Sequence, residues 1–565
     1  MGWLPQPLKT LVLSVQAWQP RRETVLLGVS AFWLLLANQS FLAAVWRQSA
    51  GGASAWGLVL ALAGVVLAVH VLLLGLLAVR WFFKPVLALL IVAAAVSSYF
   101  SDQLGIYMDP SMLRNALRTD LAESRELLSW RLLLHVALVA GLPLWWLWHL
   151  KTAPRGWGMA LRGRLLLVAG ALLMALLLVW SVFQPLSSMM RNHREIRYLV
   201  TPANVLWSGS QVLWRDAQGA AQPRQPIGED ARLQGPLTAR ERPLVLLLVV
   251  GETVRAANWG LRQGPDLPAE GRQTTPELAA LPVWQAGAVR ACGTNTEVSL
   301  PCMFAPVGRR DYDEARIRGQ QSLLHVLQRA GVQVHWRDNQ SGCKGVCDGL
   351  PQETVSAAQF PDLCEKGRCL DEVLVADLPE RLAAVRQGRE VHVWVLHMLG
   401  NHGPSYFRRY PPAFARFTPE CHSDDLKACS PQAIVNAYDN AILYTDHLLA
   451  KAIAQLKAHA GQVDSALLYV SDHGESLGEN GLFLHGMPYA IAPAVQKEVP
   501  MVFWASEGLG AATGIALDCM RQRWTAGGLA HDHLFHTVLG LLGVQTALRE
   551  KTLDLSEGCR APARV

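Results

Sequence analysis

The chain has 565 residues, with 51 Lys and Arg against 45 Asp and Glu, a net charge of +6, and 51% hydrophobic but only 17% charged residues. Soluble domains average ~25% charged residues, so this deficit, with a mean hydropathy of +0.19, points to a membrane component and excludes a disordered chain. The positive excess is scattered Arg rather than a basic tract, which argues against nucleic acid as a partner.

Taken from the N-terminus, the first element is a series of five apolar stretches near the ~20 residues that cross a bilayer. They are Thr24–Val45, Trp56–Val79, Trp81–Phe100, Arg131–Leu150 and Leu165–Phe183. Only Arg80, Trp81 and Lys84 separate the second from the third, so a tight helical hairpin is expected there. Short basic loops set the orientation: Lys9, Arg21 and Arg22, then Arg80 and Lys84, then Lys151, Arg155, Arg162 and Arg164 would all be cytoplasmic. The loop 101–130 breaks this rule with Arg114, Arg118 and Arg125, but mixes them with Asp102, Asp109, Asp120, Glu123 and Glu126. Trp145, Trp146 and Trp148 fit an interfacial aromatic belt. The first span is too long for a signal-peptide core and reads as a retained anchor. An odd number of spans puts everything after Phe183 outside the cytoplasm.

The expected organisation is therefore a transmembrane domain over 1–184, a bridging helix and linker over 185–242, and a catalytic domain over 243–565. Within the linker, Arg191–Trp214 reads either as a partly amphipathic helix on the membrane surface or as plain connector, and Ala221–Gly228 is a polar, Pro-containing stretch. All ten cysteines fall in the exported part: Cys292, Cys302, Cys343, Cys347, Cys364, Cys369, Cys421, Cys429, Cys519 and Cys559. An even set confined there suits an oxidising compartment. Proximity suggests four close pairs in that order, leaving Cys519 with Cys559; a zinc site at Cys343, Cys347, Cys364 and Cys369 lacks the usual ligand spacing.

Three short apolar runs beyond Pro243 read as strands buried on both faces, as in a parallel sheet: Leu244–Val250, Val391–Leu396 and Ala466–Val470. Glu252 and Thr253 follow the first, His397, Asn401 and His402 the second, and Asp472, His473 and Glu475 the third. Open α/β sheets bind ligands at the carboxyl ends of their strands, and these oxygen and imidazole donors suit zinc. Singly, each has a bland reading as a helix cap or turn residue, His402 and His485 included; their conjunction does not. His531, His533 and His536 read as a helix start and its polar face, not as ligands. A further element, Cys292–Cys302, sets hydroxyls in a Gly-containing loop that opens a helix, where backbone N–H groups favour a phosphoryl oxygen. A threonine hydroxyl there is a poor nucleophile unless a metal activates it.

At these residues the sequence resembles the phosphoethanolamine transferases that modify lipid A, the family including the mobile colistin-resistance enzymes. The stretches that carry the likeness are Ser98–Ser129, Val249–Trp259, Cys292–Phe304, Trp336–Asp348, His397–Tyr410, Asn436–Asp446 and Ser471–Pro488. The resemblance implies five transmembrane helices in the bacterial inner membrane and a periplasmic α/β/α sandwich of the alkaline phosphatase/sulfatase-like type. It implies one tightly bound zinc on Glu252, Thr296, Asp472 and His473, with Thr296 as the nucleophile. Lys344, His402 and His485 match residues that bind the transferred group or a second zinc. Phosphatidylethanolamine would be the donor, lipid A the acceptor, a covalent phosphoethanolamine–Thr296 species the intermediate, and polymyxin resistance the outcome, with the chain a monomer among inner-membrane lipids. Asn295 and Glu297, flanking Thr296, depart from the small residues common in relatives. A sulfatase would need a Cys/Ser-x-Pro-x-Arg motif, which the chain lacks; transfer to another envelope glycan and a membrane-anchored phosphodiesterase are the alternatives.

Overall fold

A computed structural model describes residues 19–49, 52–77, 81–119, 121–220, 223–238, 242–261, 272–365, 367–385 and 388–560. Lys9, Val79, Arg80, Asp120 and Ala221, named above, lie outside the described residues. The chain forms two compact units, Met1–Leu113 with Leu128–Leu213, and Arg114–Leu127 with Trp214–Val565.

The first unit is helical. Its elements are α1 (Arg22–Leu36), α2 (Gln39–Gln48), α3 (Gly52–Leu77) and α4 (Phe83–Leu104), followed by α5 (Pro110–Arg118) and α6 (Leu121–Glu126), over which the chain crosses to the second unit and back. It then continues through α7 (Trp130–His149), α8 (Trp157–Ser181) and α9 (Ala203–Ala220). Among the described residues four helices are long and apolar enough to cross a membrane, or five if α1 and α2, bent by 56°, form one span. Only 6% of the apolar window of α8 is buried, which leaves a wide surface for lipid.

Two expectations need correction. The first span is not one helix, because Asn38 interrupts it. The Asn38 side chain donates to the carbonyls of Trp33 (3.0 Å) and Thr201 (2.8 Å) and accepts from the Thr201 N–H (2.9 Å), replacing helical bonds with a tie 163 residues away. Likewise Arg191–Trp214 is not a single helix: a helix over Phe183–Asn192 and a 3-10 turn over Arg194–Leu199 precede α9. Pro202 lacks the N–H that a continuous helix would need. Helix α8 also begins eight residues before Leu165, so Arg162 and Arg164 belong to its first turns.

The second unit is built on a seven-stranded sheet. In chain order its strands are β1 (Leu244–Gly251), β2 (Trp284–Gln285), β3 (Gln333–Asp338), β4 (Gln352–Thr354), β5 (Val391–His397), β6 (Asp464–Ser471) and β7 (Met501–Ala505). Across the sheet they run β2-β7-β6-β1-β5-β3-β4. The segment from β6 to β4 is parallel; β7 and β2 are antiparallel additions at one edge. Every residue of β1 and β6 is buried, as their unbroken Val/Leu runs require. The three runs identified in the sequence are thus adjacent, β6-β1-β5, with their carboxyl ends on one edge. All ten cysteines are paired as their spacing suggests. Cys519–Cys559 closes the longest loop, 40 residues, for which loss of denatured-state entropy gives about 4 kcal/mol.

Candidate active site

The edge where β6, β1 and β5 end collects the chemistry. Glu252 leaves β1 fully buried, and Asp472 and His473 leave β6 equally buried. Between them the chain is strained: Thr253 has φ +55°, and its N–H donates to Asp472 Oδ1 at 3.2 Å. Gly474 next to His473 has to be glycine, since a Cβ there would lie 2.0 Å from the Val495 carbonyl oxygen.

Helix α10 (Thr296–Met303) brings the nucleophile candidate to this edge. Asn295 caps it, accepting from the Val298 N–H at 3.0 Å, which gives that unusual residue a structural role. The loop is tied down on several sides. Ser299 Oγ donates to the Asp472 carbonyl (2.5 Å) and Thr294 Oγ1 to the Met487 carbonyl (2.6 Å). His531 accepts from the Cys292 N–H at Nδ1 (3.1 Å) and donates from Nε2 to the Ser471 carbonyl (2.9 Å). His533 and His536 also spend ring nitrogens on backbone groups.

Thr296 Oγ1 consequently stands 3.1 Å from both oxygens of Glu252 and 3.4 Å from His473 Nε2. His473 Nε2 is 3.3 Å from Glu252 Oε1 and 3.3 Å from Asp472 Oδ2. Glu252, Asp472 and His473 offer ligand atoms within 4.8 Å of one another. A cation fits this set. Among the described residues no hydrogen-bond partner reaches the buried Asp472 Oδ2, and burial together with the Glu252 carboxylate pushes the Asp472 pKa up to about 7. His473 Nδ1 faces the Gly474 carbonyl at 2.9 Å, which fixes the tautomer that turns the Nε2 lone pair to the carboxylates. Oxygen and imidazole donors of this kind suit zinc.

The remaining histidines flank this centre: His473 and His485 ring centroids are 4.5 Å apart, and His402 and His485 are 5.2 Å apart. His485 Nδ1 is 3.0 Å from Glu475 Oε2, while Tyr406 Oη donates to the other Glu475 oxygen at 2.8 Å. His402 differs, with acceptors at both nitrogens: Gly403 O lies 2.8 Å from Nδ1 and Glu123 Oε1 3.0 Å from Nε2. Burial opposes its charge, but Glu123 more than offsets this and holds the His402 pKa at about 9, so the ring is an imidazolium at neutral pH. Lys344, at φ +49°, donates to Ser341 Oγ (2.6 Å) and O (3.0 Å), on the loop whose Gln340 amide reaches Glu252 Oε2 at 3.4 Å.

In the sequence Glu123 reads only as loop charge. It lies on α6, in the segment that packs with the second unit, and three residues on Glu126 is buried against Arg409 (2.5 Å) and Arg368 (2.8 Å). Partners 283 residues apart leave no periodic trace in a sequence. Burial alone would raise the Glu126 pKa, but Arg409 and Arg368 lower it below the usual 4.5. A depressed carboxylate pKa stabilises the fold above the unfolded value and ceases to do so as pH falls through the folded one. The stability gap between wild type and Glu126→Gln, read from denaturant midpoints, should therefore be full near pH ~6 and shrink below pH 4.5. A gap constant down to pH ~2.5 would remove this ion pair from the account.

Residues 66–217 match the family model described as phosphoethanolamine transferase EptA/EptB, and residues 245–544 match the sulfatase model. The chain is 38% identical over 487 residues to phosphoethanolamine transferase EptA of Escherichia coli K12, covering 85% of this chain and 86% of that one. It is 36% identical over 532 residues to phosphatidylethanolamine transferase Mcr-1 of Escherichia coli, covering 92% and 94%. Among solved structures, the integral membrane lipooligosaccharide phosphoethanolamine transferase A of Neisseria meningitidis superposes with a TM-score of 0.90 at 35% identity, over 96% of this chain and 100% of that one. With its apolar helices, its sulfatase-like α/β domain and these relatives, the chain belongs to the phosphoethanolamine transferase family, as an integral membrane protein whose soluble domain is periplasmic.

Proposed function

We propose that the chain transfers phosphoethanolamine from phosphatidylethanolamine to a lipid A phosphate through a covalent Thr296 intermediate. The observation that carries this reading is Thr296 Oγ1 at a capped helix N-terminus, 3.1 Å from Glu252 and 3.4 Å from His473. Glu252, Asp472, His473 and the Thr296 oxygen are the residues that would hold one zinc, which when bound supplies Lewis acidity to lower the hydroxyl pKa.

The Thr296 oxygen attacks phosphorus, a bond forms between Oγ1 and P, and the P–O bond to glycerol breaks. Diacylglycerol leaves with a proton. An oxygen of the acceptor phosphate then attacks the same phosphorus, the Oγ1–P bond breaks, and the proton given up by the acceptor's P–OH restores the Thr296 hydroxyl. In the first step the Thr296 hydroxyl points its proton at the Glu252 carboxylate. His402 as an imidazolium, His485 and Lys344 stabilise charge on the phosphoryl oxygens, and the N–H groups at the start of α10 add to this. Glu123, a carboxylate at the same edge, suits the ammonium end of the headgroup. Both substrates are lipids, so anchoring in their membrane raises their effective concentration at the site. The transferred ammonium offsets acceptor phosphate charge, which weakens binding of cationic peptides such as polymyxins.

Purified full-length protein in vesicles of phosphatidylethanolamine with lipid A tests this reading. Mass spectrometry is expected to find lipid A heavier by one phosphoethanolamine, and diacylglycerol in equal amount. Release of free phosphoethanolamine with lipid A unmodified would favour a phosphodiesterase instead.

A further inference from the structure

Glu297 directly follows the nucleophile candidate, and its side chain is fully buried. Its Oε1 accepts from Arg118 Nη1 at 2.6 Å and from Arg318 Nη2 at 3.0 Å, and Arg318 also donates to the Glu297 carbonyl at 2.7 Å. The contacts continue on both sides. Arg118 pairs with Asp216 (3.1 Å), Asp216 with Arg114 (3.2 Å), Arg114 with Glu314, and Glu314 with Arg318 (3.3 Å). Three arginines and three carboxylates thus alternate in a closed ring, and each of the six has a partner of opposite charge on both sides. The members come from the inter-span segment (Arg114 and Arg118), the end of α9 (Asp216), and the nucleophile helix with the chain after it.

We propose that Glu297 is a positioning residue, which with Arg118 and Arg318 clamps the segment 114–127 to the nucleophile helix. The clamp sets where Glu123 stands against His402. The segment is held on both sides of Glu123: Arg114 and Arg118 join the ring before it, and Glu126 pairs with Arg409 and Arg368 after it. Removing Glu297 would leave Arg118 and Arg318 facing each other without the buried carboxylate between them, so the first attachment would loosen. The second would remain, so the segment would shift rather than detach. Glu297 needs no contact with substrate for this. The proposal rests on the reading above, in which the edge shared by Glu123 and His402 receives the phosphoethanolamine headgroup.

The test is a double-mutant cycle on the full-length protein in vesicles, with Glu297→Ala, Arg118→Ala and the pair, using a phosphatidylethanolamine donor. Each single variant is expected to raise the donor KM about tenfold with kcat within about threefold of wild type, and the double variant to be little worse than either. Glu297→Gln, which keeps an acceptor at the same place, should recover part of the loss. A second readout is amide hydrogen exchange over Leu121–Glu126, which should speed up in both single variants without a matching change in the sheet. Additive effects of the two substitutions, a fall in kcat at constant KM, or unaltered exchange would each overturn the clamp. Arg118 is 41% exposed and its replacement should fold even if Glu297→Ala does not. If wild type transfers no phosphoethanolamine while exchange still rises in the variants, the clamp stands and the functional reading falls.

Discussion

Thr296→Ala is expected to reduce phosphoethanolamine transfer at least about 10³-fold while leaving the fold in place. The side chain lost is small and sits at the first position of α10, where alanine is a good helix former and the Asn295 cap does not depend on it. The cost to stability is a buried carboxylate deprived of one donor, about 1–3 kcal/mol before any cation is counted. The cost to chemistry is total for this route, because no other hydroxyl contacts both Glu252 and His473 among the described residues. Lipid A from cells producing equal amounts of either protein reports the outcome by mass. Thr296→Ser, which keeps the hydroxyl, should retain measurable transfer. Full modification of lipid A by Thr296→Ala would refute the nucleophile assignment.

Much of this centre is legible in the sequence because its parts are local. A run such as Leu244–Val250 has only one economical fate, a strand buried on both faces, and the residues directly after it must emerge at the sheet edge. Three such runs therefore announce where Glu252, His402, Asp472 and His473 converge, and the structure places β6, β1 and β5 side by side. Disulfides between near neighbours are readable for the same reason. Long-range polar pairing is the part that escapes. Asn38 ends a span that hydropathy reads as continuous, through bonds to Thr201. Arg114 and Arg118 look like exceptions to a charge rule until Glu314, Asp216 and Glu297 appear beside them, and Glu126 reads as loop charge until Arg409 and Arg368 do. Glu297 itself stands out in sequence as an odd carboxylate next to a hydroxyl, yet nothing in sequence shows that two guanidinium groups face it. Apolar periodicity reports which face is buried, but not which distant charge is buried with it.

Asp472→Asn is expected to abolish tight zinc binding, and with it the effect of chelators on stability. In wild type two carboxylates and one imidazole are fully buried within a few ångströms, and among the described residues Asp472 Oδ2 has no hydrogen-bond partner to replace a cation. Removing an ion present at about a thousand times its dissociation constant costs about 4 kcal/mol, which lowers the melting temperature by several degrees. The effect should depend on pH, with a sign fixed by the pKa. In the metal-free fold Asp472 is pushed up from 3.8 to about 7, chiefly by burial and then by Glu252. A carboxylate raised in this way destabilises the metal-free fold progressively as pH climbs from about 4 to about 7, because the unfolded chain ionises it freely and the folded chain does not. Zinc binds the ionised carboxylate, so the drop in melting temperature on chelation should grow as pH climbs across that window. Asp472→Asn removes both the ion and the titration, and should melt at one temperature with or without chelator. Metal content measured by elemental analysis separates the two contributions. A wild type that melts identically with and without chelator across the window, or an Asp472→Asn protein that retains a full complement of zinc, would show that the buried carboxylates are held together by something other than a cation.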